Sequence, residues 1–364
     1  MTNAEALPSI ITSGGSIATI NFDKQALSRP ITNISSALSG LSAGVQVRQS
    51  SGNPGSDGAT IRVRGVGTLN NSDPLIIVDG IEGSLDAVNP TDVESISILK
   101  DAASSAIYGS RAANGVVLVT TKKGNQDKIN VSYSARLSFS SPTNLIDQVT
   151  NYADYMEWMN ESLTNIGQAI NFQQTTIDLW REKEKDSNGI NEFGYPNYIA
   201  YPNTDWQKVL FKSNLMNEHN ISLNGSTNKV SFLVSAGYLD NPGLVDKTGI
   251  KRYSFRSNVD VKVTDWLNIG NRTYASLQDK EPGDFSGANN YLNLTTPGVT
   301  PIYNGVYGWP EASEESATAN NLLYVLNTAN GTNQNSQINT TLYSKMKFLN
   351  DFTATANISL EHNA

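Results

Sequence analysis

Apolar residues recur at every second position over long stretches of the second half of the chain. From Ile129 to Phe139 the odd positions carry Ile, Val, Tyr, Ala, Leu and Phe, while Asn130, Ser132, Ser134, Arg136 and Ser138 fill the even ones. Period-two alternation marks a strand that separates two different media. It returns at Ile221 and Leu223 and, past a Gly225–Asn228 turn, at Val230, Phe232, Val234, Ala236 and Tyr238. Tyr253, Phe255, Val259, Val261 and Val263 follow, with Arg252, Arg256, Asp260 and Lys262 opposite. Beyond Asp265-Trp266 come Leu267, Ile269, Thr273, Ala275 and Leu277. Ile338, Leu342, Met346 and Phe348 then lead through Asn350-Asp351 to Phe352, Ala354, Ala356, Ile358 and Leu360. Several of these seven segments approach the about 9–11 residues of a tilted membrane strand. Short connections (225–228, 264–266, 349–351) alternate with longer ones (142–217, about 239–250, about 279–336), as in a membrane barrel with short turns on one side and long loops on the other. A soluble β-sandwich has no reason to sort its loops this way. The parity predicts that odd positions 129–139 and 253–263, and even positions 230–238 and 352–360, face lipid.

The first third has another texture. Ser16–Phe22 predicts a strand, Thr32–Gly40 a short amphipathic helix and Gly44–Arg48 a strand, followed by a glycine-rich loop, Ser50–Gly58. Thr60–Gly65 alternates with Arg62 and Arg64 on one face. Pro74–Val78 is an apolar run closed by the tight turn Asp79-Gly80. Asn89-Pro90 reads as an N-cap with proline at the first helical position. Ser95–Lys100 predicts a half-buried strand. Asp101 caps an alanine-rich helical turn ending at Gly109, which suits the left-handed C′ position. Asn114-Gly115 then turns the chain into the strand Val116–Thr121, which exits through Lys122-Lys123-Gly124. Residues 1–15 read as a loose polar tail. Within 142–217, Asn151–Leu163 and Thr176–Lys185 have helical spacing; 279–336, rich in Asn, Gly, Pro and Tyr, predicts irregular structure.

Composition narrows the function. The formal charge of −8 argues against a nucleic-acid partner. Residues 16–124 balance nine basic against nine acidic side chains, so the acid excess lies in the second half. With no cysteine, neither a disulfide framework nor a thiolate metal site is available. His219 and His362 are the two histidines of the chain, which makes a zinc site or a Ser-His-Asp triad improbable. Gly65-Val66-Gly67 lacks the third glycine of a dinucleotide fold, and Gly109–Gly115 lacks the Lys-Ser/Thr of a phosphate loop. The expectation is therefore no enzyme, no cofactor and no metal. Asp92 and Glu94 are expected to decorate a helix N-terminus. There is no run of ~18 apolar residues for a transmembrane helix. The start, MTNAEALPSII, has neither a basic nor an apolar signal region, so the chain is expected to be a truncated one.

The run Asp73-Pro74-Leu75, Val78-Asp79-Gly80, Val93-Glu94-Ser95-Ile96, Leu99–Ala103, Ala106–Val116 and Thr120–Gly124 resembles the plug domain of TonB-dependent outer-membrane transporters of the SusC/RagA family. The resemblance covers roughly residues 30–124. It implies an α+β plug domain over 16–124, after the tail 1–15, and antiparallel transmembrane β-barrel strands over 125–364. The barrel is expected to be incomplete, because such transporters have about 22 strands. The implied activity is TonB-dependent import of an oligosaccharide or peptide across the outer membrane. The implied partners are TonB, a SusD-like surface lipoprotein and outer-membrane lipid. The sequence before the plug is expected to depart from the family, with no convincing TonB box before Ser16 and no carboxypeptidase-like extension in these residues. The alternative is an outer-membrane receptor or adhesin that captures ligand without transport.

By the same resemblance Arg62, Arg64 and Arg111 are candidates for ion pairs with the inner barrel wall, where Arg136, Arg252, Arg256, Asp260 and Lys262 are available. Asp73, Pro74, Asp79, Gly80, Gly109, Asn114 and Gly115 carry the plug turns. Tyr291, Tyr303, Tyr307 and Trp309 gather in the longest loop and are candidates for ligand stacking, with girdle or loop-core packing as the plainer reading. Trp266, at a short turn, fits the periplasmic girdle.

Overall fold

A computed structural model describes residues 11–13, 17–21, 32–67, 71–122, 128–309, 321–328, 331–348 and 352–364. Most of the expected polar tail, the exit at Lys123-Gly124 with its domain boundary, and the Asn350-Asp351 turn lie outside the described residues.

The N-terminal unit is built on a six-stranded sheet. Its strands are β1 (Ile11–Ser13), β2 (Ile17–Asn21), β5 (Leu75–Val78), β6 (Ile81–Glu82), β7 (Val93–Leu99) and β8 (Val116–Thr121), in the order β1-β2-β7-β8-β5-β6. All neighbours are antiparallel except β5 and β8. β1 lies within the expected tail, where it pairs with β2. A separate hairpin joins β3 (Val45–Gln49) to β4 (Ala59–Val63). The alternation of β7 sends Ile96 and Ile98 into a core with Ile34, Leu38, Ile61, Leu85, Val93 and Val117. The helices are shorter than their sequence signals. α1 spans Ile34–Ala37, and α2 spans Ala102–Ser105 with Asp101 accepting from the Ser104 N–H at 2.7 Å. The Asn89-Pro90 signal gives a single 3₁₀ turn, Pro90–Asp92, capped by Asn89.

The second half is one antiparallel sheet in strict chain order: β9 (Asn130–Ser140), β10 (Asn214–Ser226), β11 (Val230–Pro242), β12 (Gly249–Lys262), β13 (Leu267–Glu281), β14 (Asn333–Phe348) and β15 (Phe352–Asn363). β9 and β15 are its edges. The register keeps the predicted parity across every strand, placing Tyr133 opposite Ile221, Ile221 opposite Ala236, Ala236 opposite Phe255 and Phe255 opposite Ala275. This outward face exposes Val131, Leu137, Ile221, Phe255, Leu342, Ile358 and Leu360. It also carries a polar cluster in which Thr273 donates to Asn271 Oδ1 at 2.9 Å and lies 2.7 Å from the Thr340 hydroxyl.

The long connections pack on one another at one end of the sheet. α3 (Tyr152–Asn165) and α4 (Gln174–Lys185) enclose Tyr152, Met156, Phe172 and Ile177, as their helical spacing predicts. The stretch expected to be irregular instead contains α7 (Phe285–Leu292) and α8 (Leu322–Thr328). Their apolar sides meet α6 (Trp206–Leu210) and Val245 in a common core, so all three long connections form one cap. Burial of Ala288, Leu292, Leu322 and Leu326 outweighs the poor local helix signal, because short helices gain most of their stability from packing.

Candidate functional site

The N-terminal unit lies against the inner face of the wall, and their seam is polar. Even positions of β12 all point to this face, so one strand presents Arg252, Arg256, Asn258 and Asp260. Arg256 is buried between two carboxylates of the N-terminal unit, 3.5 Å from Asp79 and 3.4 Å from Asp92. Its Nε makes no well-aligned hydrogen bond, so the contact with Asp92 is chiefly Coulombic. The 3₁₀ turn at Pro90 aims Asp92 at the wall, where the Ser235 hydroxyl donates to it at 2.9 Å. Burial pushes the Asp92 carboxyl above the usual carboxylate range, opposed by Arg256 and then by the Ser235 hydrogen bond.

Asp79 is held by local geometry. It adopts φ +50° and Gly80 φ +91°, the paired left-handed residues of a tight hairpin turn. Its carboxylate accepts from the Thr121 N–H at 2.9 Å and the Thr121 hydroxyl at 2.7 Å. Asn258 of the wall donates to that same hydroxyl oxygen at 2.8 Å. The result is a continuous chain of polar contacts: Asn258, Thr121, Asp79, Arg256, Asp92, Ser235. Nearby, Asn89 donates to Asn220 of β10, and Arg252 donates to the Thr32 carbonyl at 3.3 Å. Beside Arg252, burial raises Asp86, against a 2.7 Å hydrogen bond from Ser35. A cavity of about 310 Å³ opens beside the Asp79 turn, lined by Thr121, Lys122, Asn258, Asp260 and Arg272.

Gly237 leaves room on the wall for the Asn89–Asn220 contact. A methyl group there would stand 2.5 Å from Asn220 Oδ1, 2.7 Å from Ser254 Oγ and 2.8 Å from Asn89 Nδ2. Gly237→Ala is expected to weaken docking by about 1–3 kcal/mol, the usual cost of overpacking, read as a lower urea midpoint for the N-terminal unit in detergent. An unchanged midpoint would mean that the seam is looser than these distances require.

The residues expected to latch the seam sit elsewhere. Arg62 pairs with Asp73 and Arg111 with Glu82 at 2.6 Å, both inside the N-terminal unit. Arg64, at φ +58° in a turn with Gly65, is exposed and makes no side-chain hydrogen bond or ion pair with the wall among the described residues. On these seven strands the signs are therefore reversed: the wall supplies the cations and the N-terminal unit the anions. Asp92 is not helix decoration, since its three-residue turn delivers it into the seam; Glu94 is exposed. Of the wall candidates, Arg252 and Arg256 reach the N-terminal unit. Arg136 pairs with Glu218 at 3.1 Å, Asp260 with Arg272 at 2.8 Å and Lys262 with Asp265 at 2.6 Å, all within the wall. Gly270 gives the Tyr343 ring room to cover Arg272.

The turn residues take the conformations their types suggest. Gly109 has φ +72° and Gly115 φ +92°, and a Cβ on Gly115 would press on the Leu99 carbonyl and Val63 at 3.0 Å. Asn114 donates to the Asn71 carbonyl at 3.0 Å, and Pro74 leads into β5. Among the loop aromatics, Tyr291 packs on the cap core and Tyr303 sits edge-on to Tyr195. Tyr307 accepts from Asn327 at 3.0 Å, and Trp309 lies edge-on to Tyr324 with most of its surface exposed. Trp266 is exposed at its short turn. No cluster of metal-ligating side chains occurs among the described residues.

Comparison with known proteins agrees with this geometry. The family model described as TonB-dependent receptor plug domain matches residues 10–116. A TonB-dependent receptor of Formosa agariphila is 36% identical over 283 residues, which cover 76% of this chain and 26% of that protein. The TonB-dependent receptor SusC of Bacteroides thetaiotaomicron is 37% identical over 258 residues, covering 67% of this chain and 22% of SusC. Among solved structures, the RagAB peptide transporter superposes with a TM-score of 0.77 at 27% identity, over 97% of this chain and 41% of that one. The chain thus spans about a quarter of the length of the curated relatives it matches.

Proposed function

We propose that this chain, which belongs to the SusC/RagA family of TonB-dependent outer-membrane receptors, supplies the plug and seven adjoining strands of barrel wall to a nutrient importer. Residues 16–124 are assigned to the plug, residues 125–364 to the wall, and the cap to the outer face of the membrane. The observation that carries this reading is the seam. A plug fixed for good would be expected to bury apolar side chains against its wall, yet here the contact runs through Arg256, Asp79, Asp92, Asn89 and Asn220. A partly buried ion pair is weak evidence of net stability but serves well as a breakable latch. TonB is the proposed source of the force that breaks it. A surface lipoprotein like the partner implied by the name RagAB is the proposed cover of the cap. The relatives matched are receptors and transporters, which supports transport of an oligosaccharide or peptide rather than catalysis.

A disulfide tether gives a test, since these 364 residues hold no cysteine of their own. In cells that carry the protein with its complete barrel, cysteines at Asn89 and Asn220 should form a tether across the seam. Uptake of the nutrient should stop on oxidation and return on reduction. Undiminished uptake with the tether closed would refute a plug that moves along this seam.

A further inference from the structure

We infer that the outward face of the wall seats one phospholipid acyl chain, in a groove of about 430 Å³ that crosses β12 to β15. The strand register builds it from two adjoining ranks of outward side chains. Val259, Asn271, Leu342 and Ile358 stand in one rank, and Val261, Ile269, Ser344 and Ala356 in the next. The second rank ends in two small residues, Ser344 and Ala356, while Leu342 and Ile358 stand exposed beside them. Small residues let a chain lie close to the backbone, as they do where elements pack inside lipid. A concave bed also brings more atoms into contact with a chain than a flat wall does, and dispersion attraction accumulates with each.

Depth and chemistry select the occupant. Trp266 and the stacked rings of Phe348 and Phe352, 5.8 Å apart, stand exposed at neighbouring short turns, where a barrel carries an aromatic girdle. Ile269 and Asn271 lie three and five residues up β13 from Trp266. At about 3.3 Å per residue and a ~45° tilt, the groove sits roughly 7–12 Å inside that boundary, short of the middle of a ~30 Å hydrocarbon core. With the cap on the outer face, this depth belongs to the acyl chains of the periplasm-facing leaflet, which is phospholipid. No charged side chain lines the groove, so it takes the chain and not the headgroup. A second copy of the protein suits this face less well. Beside the groove, Asn271 donates to the Thr340 hydroxyl at 3.3 Å and accepts from Thr273 at 2.9 Å. These polar groups are turned on one another, whereas polar side chains that join two proteins inside lipid hydrogen-bond across the contact.

The groove needs a wall that spans the outer membrane, not a plug that moves, so a seam tether without effect would leave it untouched. Native mass spectrometry tests it on the protein with its complete barrel, delipidated in detergent and titrated with dipalmitoyl phosphatidylethanolamine or with lipid A. One phosphatidylethanolamine should stay bound per chain once detergent is stripped. Ser344→Trp, which fills the groove from an outward position, should cut that retention by about tenfold (~1.4 kcal/mol) or more. Val131→Trp, on the exposed face of β9, should leave it unchanged. Where Ser344→Trp gives no folded barrel, judged by heat-shifted mobility in gels, Ala356→Phe takes its place with the same loss expected. Equal retention by the filled groove, or no retained lipid, overturns the inference. So does preferential retention of lipid A, which would place the groove in the other leaflet. A dimer that Ser344→Trp disperses would overturn it too, by making the face an interface between copies.

Discussion

Arg256→Met is expected to loosen the plug by about 3–5 kcal/mol, the usual cost of removing one partner from a buried ionic cluster, whereas Asp92→Asn should cost less than about 1 kcal/mol. The asymmetry follows from the seam. Arg256 serves both Asp79 and Asp92, so its loss leaves both carboxylates without their ion-pair partner, Asp92 keeping only the weaker field of Lys122. Asp92 is already held in a setting where burial disfavours its charge, and an asparagine can still accept the Ser235 hydrogen bond. Hydrogen exchange of the β7 amides in detergent measures the difference, since each ~1.4 kcal/mol is a factor of ten. Exchange should quicken a hundredfold or more in Arg256→Met and by less than tenfold in Asp92→Asn. The pH dependence has a fixed sign. A carboxyl whose folded pKa is raised contributes stability that is complete below its unfolded value and is lost as pH rises through the folded one. Acidification should therefore lessen the Arg256→Met defect. Equal effects of the two substitutions would show that the charge of Asp92 matters as much as that of Arg256, against an arginine shared by two carboxylates.

The 364-residue chain is expected to form no monodisperse monomer in detergent-free buffer, while residues 16–124 alone stay soluble and unfold cooperatively. Two features of the wall require this. β9 and β15 leave unpaired backbone edges, which template association in water and cost several kcal/mol for each unpaired group in lipid. The outward face also shows Val131, Phe255, Leu342, Ile358 and Leu360 together, more apolar surface than soluble monomers usually carry. The plug, by contrast, closes its core around Ile34, Leu38, Val93, Ile96 and Ile98. Light scattering decides the matter. A clean monomer peak for the whole chain without detergent would mean that the strands close into a soluble fold, and the membrane assignment would fall.

How far the sequence could be read followed the length scale of each interaction. The wall was legible because alternation is local: Ile129–Phe139 shows its two faces without reference to any partner. The same parity placed Arg252 and Arg256 on the inner face. It could not supply what they meet, because Asp79 and Asp92 are brought there by a tight turn and a three-residue 3₁₀ turn far away in sequence. The expectation of latching arginines on the plug came from resemblance, and Arg62 and Arg111 found nearer carboxylates. The helices α7 and α8 were hidden for a related reason. Each is too short to show a convincing period, and each exists because Trp206, Leu210 and Val245 from other loops cover it.

The distribution of charge across the seam gives any motion of the plug a preferred direction. Drawing the plug away carries Asp79, Asp86 and Asp92 with it and leaves Arg252 and Arg256 on the wall. Where water is excluded, the attraction between separated charges fades slowly with distance. In the proposed importer the wall would then act as a return spring: its bared arginines would resist withdrawal and draw the plug home once the pull ends, with no further input of energy. The same two arginines would then stand exposed on the wall, where the docked plug now covers them.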